Sequence, residues 1–209
     1  MMKIEKVASG PDRAGRYAVR FEDGTGMRLY RQTVEDFGLY VGKTLSEEEM
    51  EQLRISAGQM SAKMRAVRII SASNVSKKDL QQRLVQKGED PEQAKQAVTW
   101  LSEMDLLDDR KTAEQVVSVC IRKGYGLARA KQALYEKRIP KEYWDEALAD
   151  YPDQQEAICS FLRAHLGSDW DEKTLRKTID ALIRRGHNYG NIRKCLEALS
   201  VDDEFLEEP

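Results

Sequence analysis

The amino-acid sequence predicts a mainly α-helical fold: three tandem three-helix repeats forming an elongated curved array, preceded by a small β-containing N-terminal segment. Apolar residues recur at helical spacing from about residue 59 onward, between recognisable helix start and stop signals. The helix end at 84–88 also recurs at 134–138 and at 182–186, so a unit of about 50 residues repeats. A unit of three short helices buries its apolar face poorly alone, which favours stacking.

The first 45 residues have a strand-like pattern. Residues 3–8 alternate loosely, and aromatic and β-branched residues alternate over 16–21. A glycine-containing turn at 22–26 and a returning strand at 27–30 complete a β element of three strands. Because three short strands are only marginally stable alone, we expect this sheet to dock on a helix.

Two helices are predicted before the repeats begin. Residues 33–37 form a short helical turn, and a capping box of Ser46 and Glu49 starts a longer helix. The longer helix is predicted over 47–55, with a bend or a break near Gly58.

Nine helical segments follow and fall into three similar units. They are predicted at 59–73, 77–87 and 91–105, then at 109–123, 127–138 and 141–150, and finally at 154–167, 172–185 and 189–200. The predicted domain organisation is an N-terminal segment and three repeats, the last with an acidic tail, at 1–57, 58–106, 107–152 and 153–209.

Caps and turns mark the ends of these helices. Asp108 or Asp109 is expected to cap the helix that follows, in preference to forming a metal site or an acid–base pair. Four glycines are expected to permit helix-ending turns: Gly88, Gly124, Gly126 and Gly186. Gly124 and Gly126 do not form a phosphate loop, because the sequence around them lacks the GxxxxGK[ST] pattern and a preceding strand.

Composition argues against several classes of function. The net charge is −2, which disfavours a protein held on DNA mainly by phosphate contacts. No apolar run reaches the roughly 20 residues of a membrane helix, and the N-terminus lacks a signal-peptide pattern, so we expect a cytoplasmic protein. His165 and His187 lie outside metal-ligand spacings, and no nucleophile has a nearby base in sequence. We therefore expect neither a metal or other cofactor nor catalysis.

The three cysteines are predicted to be buried free thiols. Cys120, Cys159 and Cys195 are widely spaced, form no CxxC pair and lie among apolar residues in helical patterns.

The second unit carries the residues of a family resemblance. It has a Leu-Leu-Asp-Asp junction at 106–109, Ala113, a Lys-Gly-Tyr-Gly turn at 123–126 and a Leu-x-x-Lys helix end at 134–137. The third unit adds Arg-Arg-Gly-His-Asn-Tyr at 184–189. In order and spacing these motifs resemble the RecX family, bacterial regulators of the RecA recombinase, over roughly residues 60–200.

The sequence departs from the family pattern at two positions. Thr112 stands where an aromatic residue commonly precedes the alanine, and Arg138 stands where a glycine usually follows the lysine. Both are packing or capping positions, so they bear on local geometry.

The resemblance implies a partner and a mode of action. RecX-like proteins lodge along the groove of the RecA filament on single-stranded DNA, where they block its growth or promote its loss. ATP hydrolysis and strand exchange by RecA then fall, and no cofactor is needed. The chain would thus be a monomeric regulator of recombination, DNA repair and the SOS response.

The charge pattern is compatible with such a partner. Residues 110–141 contain nine Lys or Arg against two acids, and residues 173–194 contain seven against one. The stretch 142–172 and the tail 197–208 are acidic. Alternating charge can steer a partner and fix its register. The residues expected to contact the filament are Arg110, Lys111, Arg122, Lys123, Tyr125, Arg129, Lys131, Lys137, Arg138, Arg184, Arg185 and Arg193.

Three other interpretations stay open. The two basic stretches, 110–141 and 173–194, could be the solvated faces of charged helices. They could belong to a nucleic-acid-binding module that acts alone, with weak direct binding to DNA. The repeats could also be a generic scaffold for other proteins.

Overall fold

A mainly α-helical chain with a small N-terminal sheet is what the structure, a computed structural model, shows, so the predicted fold class is confirmed. The structure describes residues 1–166 and 171–199. The chain divides into two units, 1–107 (unit 1) and 108–209 (unit 2).

The N-terminal sheet is antiparallel, with strand order β3-β2-β1-β4. The three predicted strands are present as β1 (Met2–Val7), β2 (Arg16–Phe21) and β3 (Gly26–Tyr30). The predicted helical turn follows as α1 (Arg31–Asp36). A fourth strand, β4 (Thr44–Leu45), was not predicted, because two residues are too few to show an alternating pattern.

The sheet docks on a long helix, as the sequence predicts. This helix, α2 (Glu47–Ala72), starts at the predicted capping box of Ser46 and Glu49. Its first turns bury Met50 and Leu53 in one cluster with the inward-facing side chains of the sheet. The sheet thereby gains the apolar partner that three or four short strands need.

The rest of unit 1 is one three-helix layer. The second half of α2 packs with α3 (Lys77–Gln86) and α4 (Pro91–Glu103) around fully buried side chains that include Ala62, Ala66, Leu80, Leu84 and Leu101. Alanines at the contact let helices approach closely, since their side chains are short.

The predicted break near Gly58 is wrong, and the alternative of a bend stays a prediction. Gly58 lies within the continuous helix α2. A Cβ atom at this position would overlap the side chain of Gln93 on α4. These atoms are the end of a flexible side chain that can turn aside, so the contact does not by itself require glycine. A glycine inside a helix and a glycine at a helix stop look alike in the local sequence.

Unit 2 contains six α-helices within its described residues. They are α5 (Asp109–Arg122), α6 (Leu127–Glu136), α7 (Trp144–Leu148), α8 (Gln154–Leu166), α9 (Glu172–Arg184) and α10 (Tyr189–Ala198). One apolar cluster joins α5 to α6 and α7, and another joins α8, α9 and α10. The segment predicted as one helix at 141–150 is a 3₁₀ turn (Lys141–Tyr143) followed by the short α7. The predicted acidic tail lies, from residue 200 onward, outside the described residues.

Helix ends repeat one geometry. Gly88 and Gly186 each lie two residues beyond the last residue of their helix and adopt φ of 89° and 84°, as predicted. Arg138 occupies the equivalent position after α6 with φ of 54°, although it carries a side chain. A non-glycine residue in the left-handed conformation is strained by roughly 1 kcal/mol. The departure from the family pattern at Arg138 therefore adds backbone strain but leaves the turn geometry the same.

The free-thiol prediction is wrong for two of the three cysteines. Cys159 on α8 and Cys195 on α10 form a disulfide, with their Cα atoms 5.4 Å apart. Cys120 is free and buried, as predicted. The pairing depends on how α8 and α10 pack, and a separation of 36 residues does not reveal it.

Candidate functional site

Two helix-ending turns of unit 2 meet and form the candidate site. The turn at 123–126 follows α5, and the turn at 185–188 follows α9. The Gly126 N–H donates to the Arg185 carbonyl over 2.8 Å, and the Arg185 guanidinium donates to the Lys123 carbonyl over 3.3 Å. We call these two turns, at 123–126 and 185–188, the junction.

The glycines of the junction have two different roles. Gly124 and Gly186 adopt φ of 62° and 84°, so they end their helices as predicted. Gly126 also lies in the turn, as predicted, but with an extended backbone at φ of −76°, as the residue that precedes α6. A Cβ atom on Gly126 would overlap the Gly186 carbonyl, and a Cβ on Gly186 would overlap the backbone of Arg129. The two turns touch through backbone, which only glycine permits at this distance.

His187 was not predicted as part of a site, and it lies at the centre of the junction. It is 6% exposed, and its Nε2 lies 3.0 Å from the Gly124 carbonyl oxygen. Its Nδ1 is buried and has no hydrogen-bond partner within the described structure. Burial lowers the pKa of His187, and the Arg185 charge adds to this effect, while the hydrogen bond to Gly124 opposes it. The neutral ring with a proton on Nε2 satisfies this geometry.

The turn at 123–126 is also held from within unit 2 by Tyr151. The Tyr151 hydroxyl donates to the Tyr125 carbonyl over 2.7 Å, and burial raises the pKa of Tyr151 to about 12. The Tyr125 N–H donates to the Cys120 carbonyl over 3.0 Å. The backbone of the turn is therefore fixed before any partner binds.

Four of the predicted contact residues surround the junction. Lys123 Nζ lies 5.9 Å from the centre of the Tyr125 ring, and the Arg185 guanidinium lies 4.8 Å from that of Phe161. The backbone of Arg129 lies against Gly186, and its side chain pairs with Glu136 over 2.9 Å. Arg185 and Arg129 thus have structural partners, while Lys123 is exposed.

Two further predicted cations adjoin the junction along the chain. Arg122 and Arg184 are the last residues of α5 and α9, and both are exposed. Basic side chains at a helix C-terminus also interact favourably with the helix dipole.

Arg110 and Lys111 lie at the opposite end of α5. Arg110 pairs with Glu146 and lies 3.9 Å from Glu114, and Lys111 lies 3.7 Å from Asp108. At 1.5 Å per residue, about 17 Å of helix separates them from Arg122. Asp108, and not Asp109, caps this end, since its carboxylate accepts from the Arg110 and Lys111 N–H groups.

The remaining predicted contact residues lie elsewhere in unit 2. Lys131 is exposed on α6, and Lys137 and Arg138 follow that helix. Arg193 on α10 pairs with Glu197 over 3.0 Å. These residues belong to other helices and turns. The predicted contact residues are therefore distributed over several elements of unit 2, and only some of them lie at the junction.

The chemistry of the junction suits an acidic or phosphate-bearing partner. It combines exposed cations, an aromatic ring and a backbone that is already fixed. Metal ligation has no basis in the described residues, which contain no cluster of three or more His, Cys, Asp or Glu able to hold an ion. In residues 1–166 and 171–199, no helix is both long and apolar enough to cross a membrane.

Comparison with known proteins identifies relatives in one family. Residues 108–148 match the family model described as RecX, second three-helix domain. Regulatory protein RecX of Stenotrophomonas maltophilia (strain R551-3) is 30% identical over 134 residues, which cover 63% of this chain and 82% of that protein. Regulatory protein RecX of Clostridioides difficile (strain 630) is 24% identical over 97% of both chains.

Two solved structures share the fold. A crystal structure of regulatory protein RecX has a TM-score of 0.62 at 20% identity and covers 93% of this chain and 100% of its own. The crystal structure of RecX from Lactobacillus salivarius has a TM-score of 0.58 at 20% identity and covers 70% of this chain and 99% of its own.

Proposed function

This chain belongs to the RecX family, and from that membership we propose that it regulates RecA by binding the RecA filament on single-stranded DNA. Binding in the groove of the filament inhibits or destabilises it, so that recombination, DNA repair and the SOS response are restrained. We place the protein in the cytoplasm, where RecA acts, as a monomer that uses no cofactor.

The observation that carries this proposal beyond family membership is the junction. Its two turns are linked by one backbone hydrogen bond and by contacts of the Arg185 and His187 side chains with carbonyl oxygens, and Arg122, Lys123 and Arg184 are exposed at their edges. A filament of protein and single-stranded DNA offers carboxylates and phosphates that such a surface recognises. Because the backbone is fixed in advance, little conformational entropy is lost on binding.

The proposal is tested on ATP hydrolysis by RecA with single-stranded DNA. We expect the full chain to suppress hydrolysis at substoichiometric amounts. The double variant Arg122→Glu/Lys123→Glu reverses two exposed charges, and we expect half-inhibition to need a roughly tenfold higher concentration. Arg129 and Arg185 are not suitable probes, since each has a structural partner in the fold.

The matched control is Lys78→Glu/Lys95→Glu, which makes the same charge change at two exposed residues of unit 1. We expect it to inhibit like the unmodified chain. Equal inhibition by both double variants would place the contact surface outside the junction. No inhibition by the unmodified chain would remove the proposal and leave a scaffold or a nucleic-acid-binding module acting alone.

A further inference from the structure

The solvent-facing side of the N-terminal sheet carries a shallow basic groove of about 440 Å³. We call it the sheet groove. Three cationic residues line it, from three neighbouring strands: Lys6, Arg20 and Arg28. Its floor is made of small residues that include Ala8, Ala18 and Gly26. The described residues that line it include no aspartate or glutamate.

Lys6 and Arg20 are directly opposite each other on β1 and β2. Both are exposed, whereas Val19 and Phe21, which alternate with Arg20, are buried in the core. Like charges directly opposite in an antiparallel pair oppose folding. Neither side chain has an ion-pair partner within the described residues, so the two charges are available to a ligand.

Neighbouring cations of the sheet are partly compensated by carboxylates. Arg28 lies 3.8 Å from Asp12, which also pairs with Arg16 over 2.9 Å. Lys3 pairs with Glu22 over 2.6 Å. Lys6 and Arg20 differ from these residues, because no carboxylate among the described residues pairs with them. Their mutual repulsion lowers the folding stability of the sheet. Local features that oppose folding are commonly retained for function.

We propose that the sheet groove binds the phosphodiester backbone of single-stranded DNA. Lys6 and Arg20 neutralise phosphates, and the small residues of the floor let the strand approach the sheet closely. We take the ligand to be one strand and not a duplex, because the groove is shallow and has a volume of only about 440 Å³. The site belongs to unit 1, so it is additional to the junction, and it requires no RecA.

The first test is binding of the full chain to a fluorescently labelled thymidine oligonucleotide, measured by anisotropy without RecA. We expect binding that weakens as salt rises. In the double variant Lys6→Gln/Arg20→Gln, loss of two contacts lowers the steepness of log Kd against log salt by roughly 1.4, since each contact to a single strand contributes about 0.7. The affinity at low salt falls by about tenfold or more.

The matched control for charge is Lys78→Gln/Lys95→Gln, which removes the same two charges from exposed positions of α3 and α4 outside the groove. We expect its Kd and salt dependence to stay close to those of the unmodified chain. If the two double variants bind equally well, the sheet groove is not the DNA site. A duplex of the same length that binds as tightly as the single strand would also overturn the assignment.

The second test separates binding from folding. The single variant Lys6→Glu places a carboxylate opposite Arg20, so an attractive pair replaces a repulsive one. We expect the urea midpoint to rise or stay unchanged while the oligonucleotide binds several-fold more weakly. A variant that loses both stability and binding would assign Lys6 a structural role and overturn its role as a phosphate contact. Loss of RecA inhibition with unchanged DNA binding would assign the groove to a protein partner and overturn the proposal.

Discussion

Gly126 shows at the residue scale how closely the junction is packed. The residue has an ordinary backbone conformation, so its glycine is required by the neighbouring chain and not by its own φ. Gly186 faces the same restriction from the other side. The contact between the two turns is therefore one of backbone against backbone, and side-chain rotation cannot relieve an added atom.

We predict that Gly126→Ala destabilises the chain by at least about 2 kcal/mol, because the new methyl group overlaps the Gly186 carbonyl and the turns must separate. The measurement is the free energy of unfolding in urea. Gly10→Ala is the control: no atom lies within 4 Å of a Cβ there, and its φ is not positive. A Gly126→Ala variant as stable as the control would contradict the close contact of the turns.

His187 gives the junction a pH dependence. Its pKa in the folded chain is lowered from 6.5, chiefly by burial, so the unfolded chain binds a proton more readily than the folded one. Stability is then fully present above about pH 6.5 and is lost as the pH falls through the unfolded and then the folded pKa. Protonation would also place an N–H on the buried Nδ1, which has no acceptor within the described structure.

We therefore expect the free energy of unfolding to fall between about pH 7 and pH 5. His187→Gln should remove most of the dependence in this window, because no titrating group then remains at that position. The exposed His165 offers the matched control His165→Gln, which should keep the dependence of the unmodified chain. Identical pH profiles for the two variants would exclude His187 as the source.

At the scale of elements, the disulfide adds a covalent link to the packing of α8, α9 and α10. It joins α8 to α10, which already share an apolar cluster with α9. A disulfide stabilises the fold by restricting the unfolded chain, and the effect grows with the length of the enclosed loop. Here the two cysteines are separated by 36 residues.

We predict that reduction lowers the free energy of unfolding by about 3–4 kcal/mol. Titration in denaturant should find one thiol per chain, from Cys120, and three after reduction. The free energy of unfolding of the Cys159→Ser variant should not change when reductant is added. Three reactive thiols without reductant would show that the pair does not form in solution.

The long helix α2 contributes to two separate apolar clusters. Its first half belongs to the core of the sheet and its second half to the cluster with α3 and α4. One continuous helix thus packs in two apolar cores. The change from one core to the next does not coincide with a helix end, so the helix end predicted near Gly58 is absent.

At the scale of the whole molecule, each of the four apolar clusters formed by residues 1–166 and 171–199 lies within a single unit. The clusters of the sheet and of α2 to α4 belong to unit 1, and the remaining two belong to unit 2. A segment with its own apolar core can fold independently. The predicted curved array of repeats concerns the arrangement of the units and stays a prediction.

We expect residues 108–209, produced alone, to be helical by circular dichroism and to unfold cooperatively in urea. The fragment 1–107 should behave likewise, since it keeps the sheet and α2 to α4 intact. A fragment divided within a unit, at 1–57, is the control and should not unfold cooperatively, because it cuts α2 near its middle. A gradual, non-cooperative transition for 108–209 would contradict its independence.

The sequence by itself indicated the family, most of the helices and three of the four strands, because these depend on local spacing and on caps. Ser46 with Glu49 and Gly186 act within a few residues of their own position, and their predicted roles are confirmed. The basic residues near the junction were also identifiable, since charge is a property of the sequence.

Only the tertiary structure decided which of these residues meet. Gly126 against Gly186, His187 beneath Gly124 and the disulfide all join segments that are far apart in sequence. The same holds for Gly58 against Gln93, where a glycine that reads as a helix stop proves to be a point of contact. Packing between distant segments sets these contacts, and one sequence records only that a small or polar residue is present, not what lies against it.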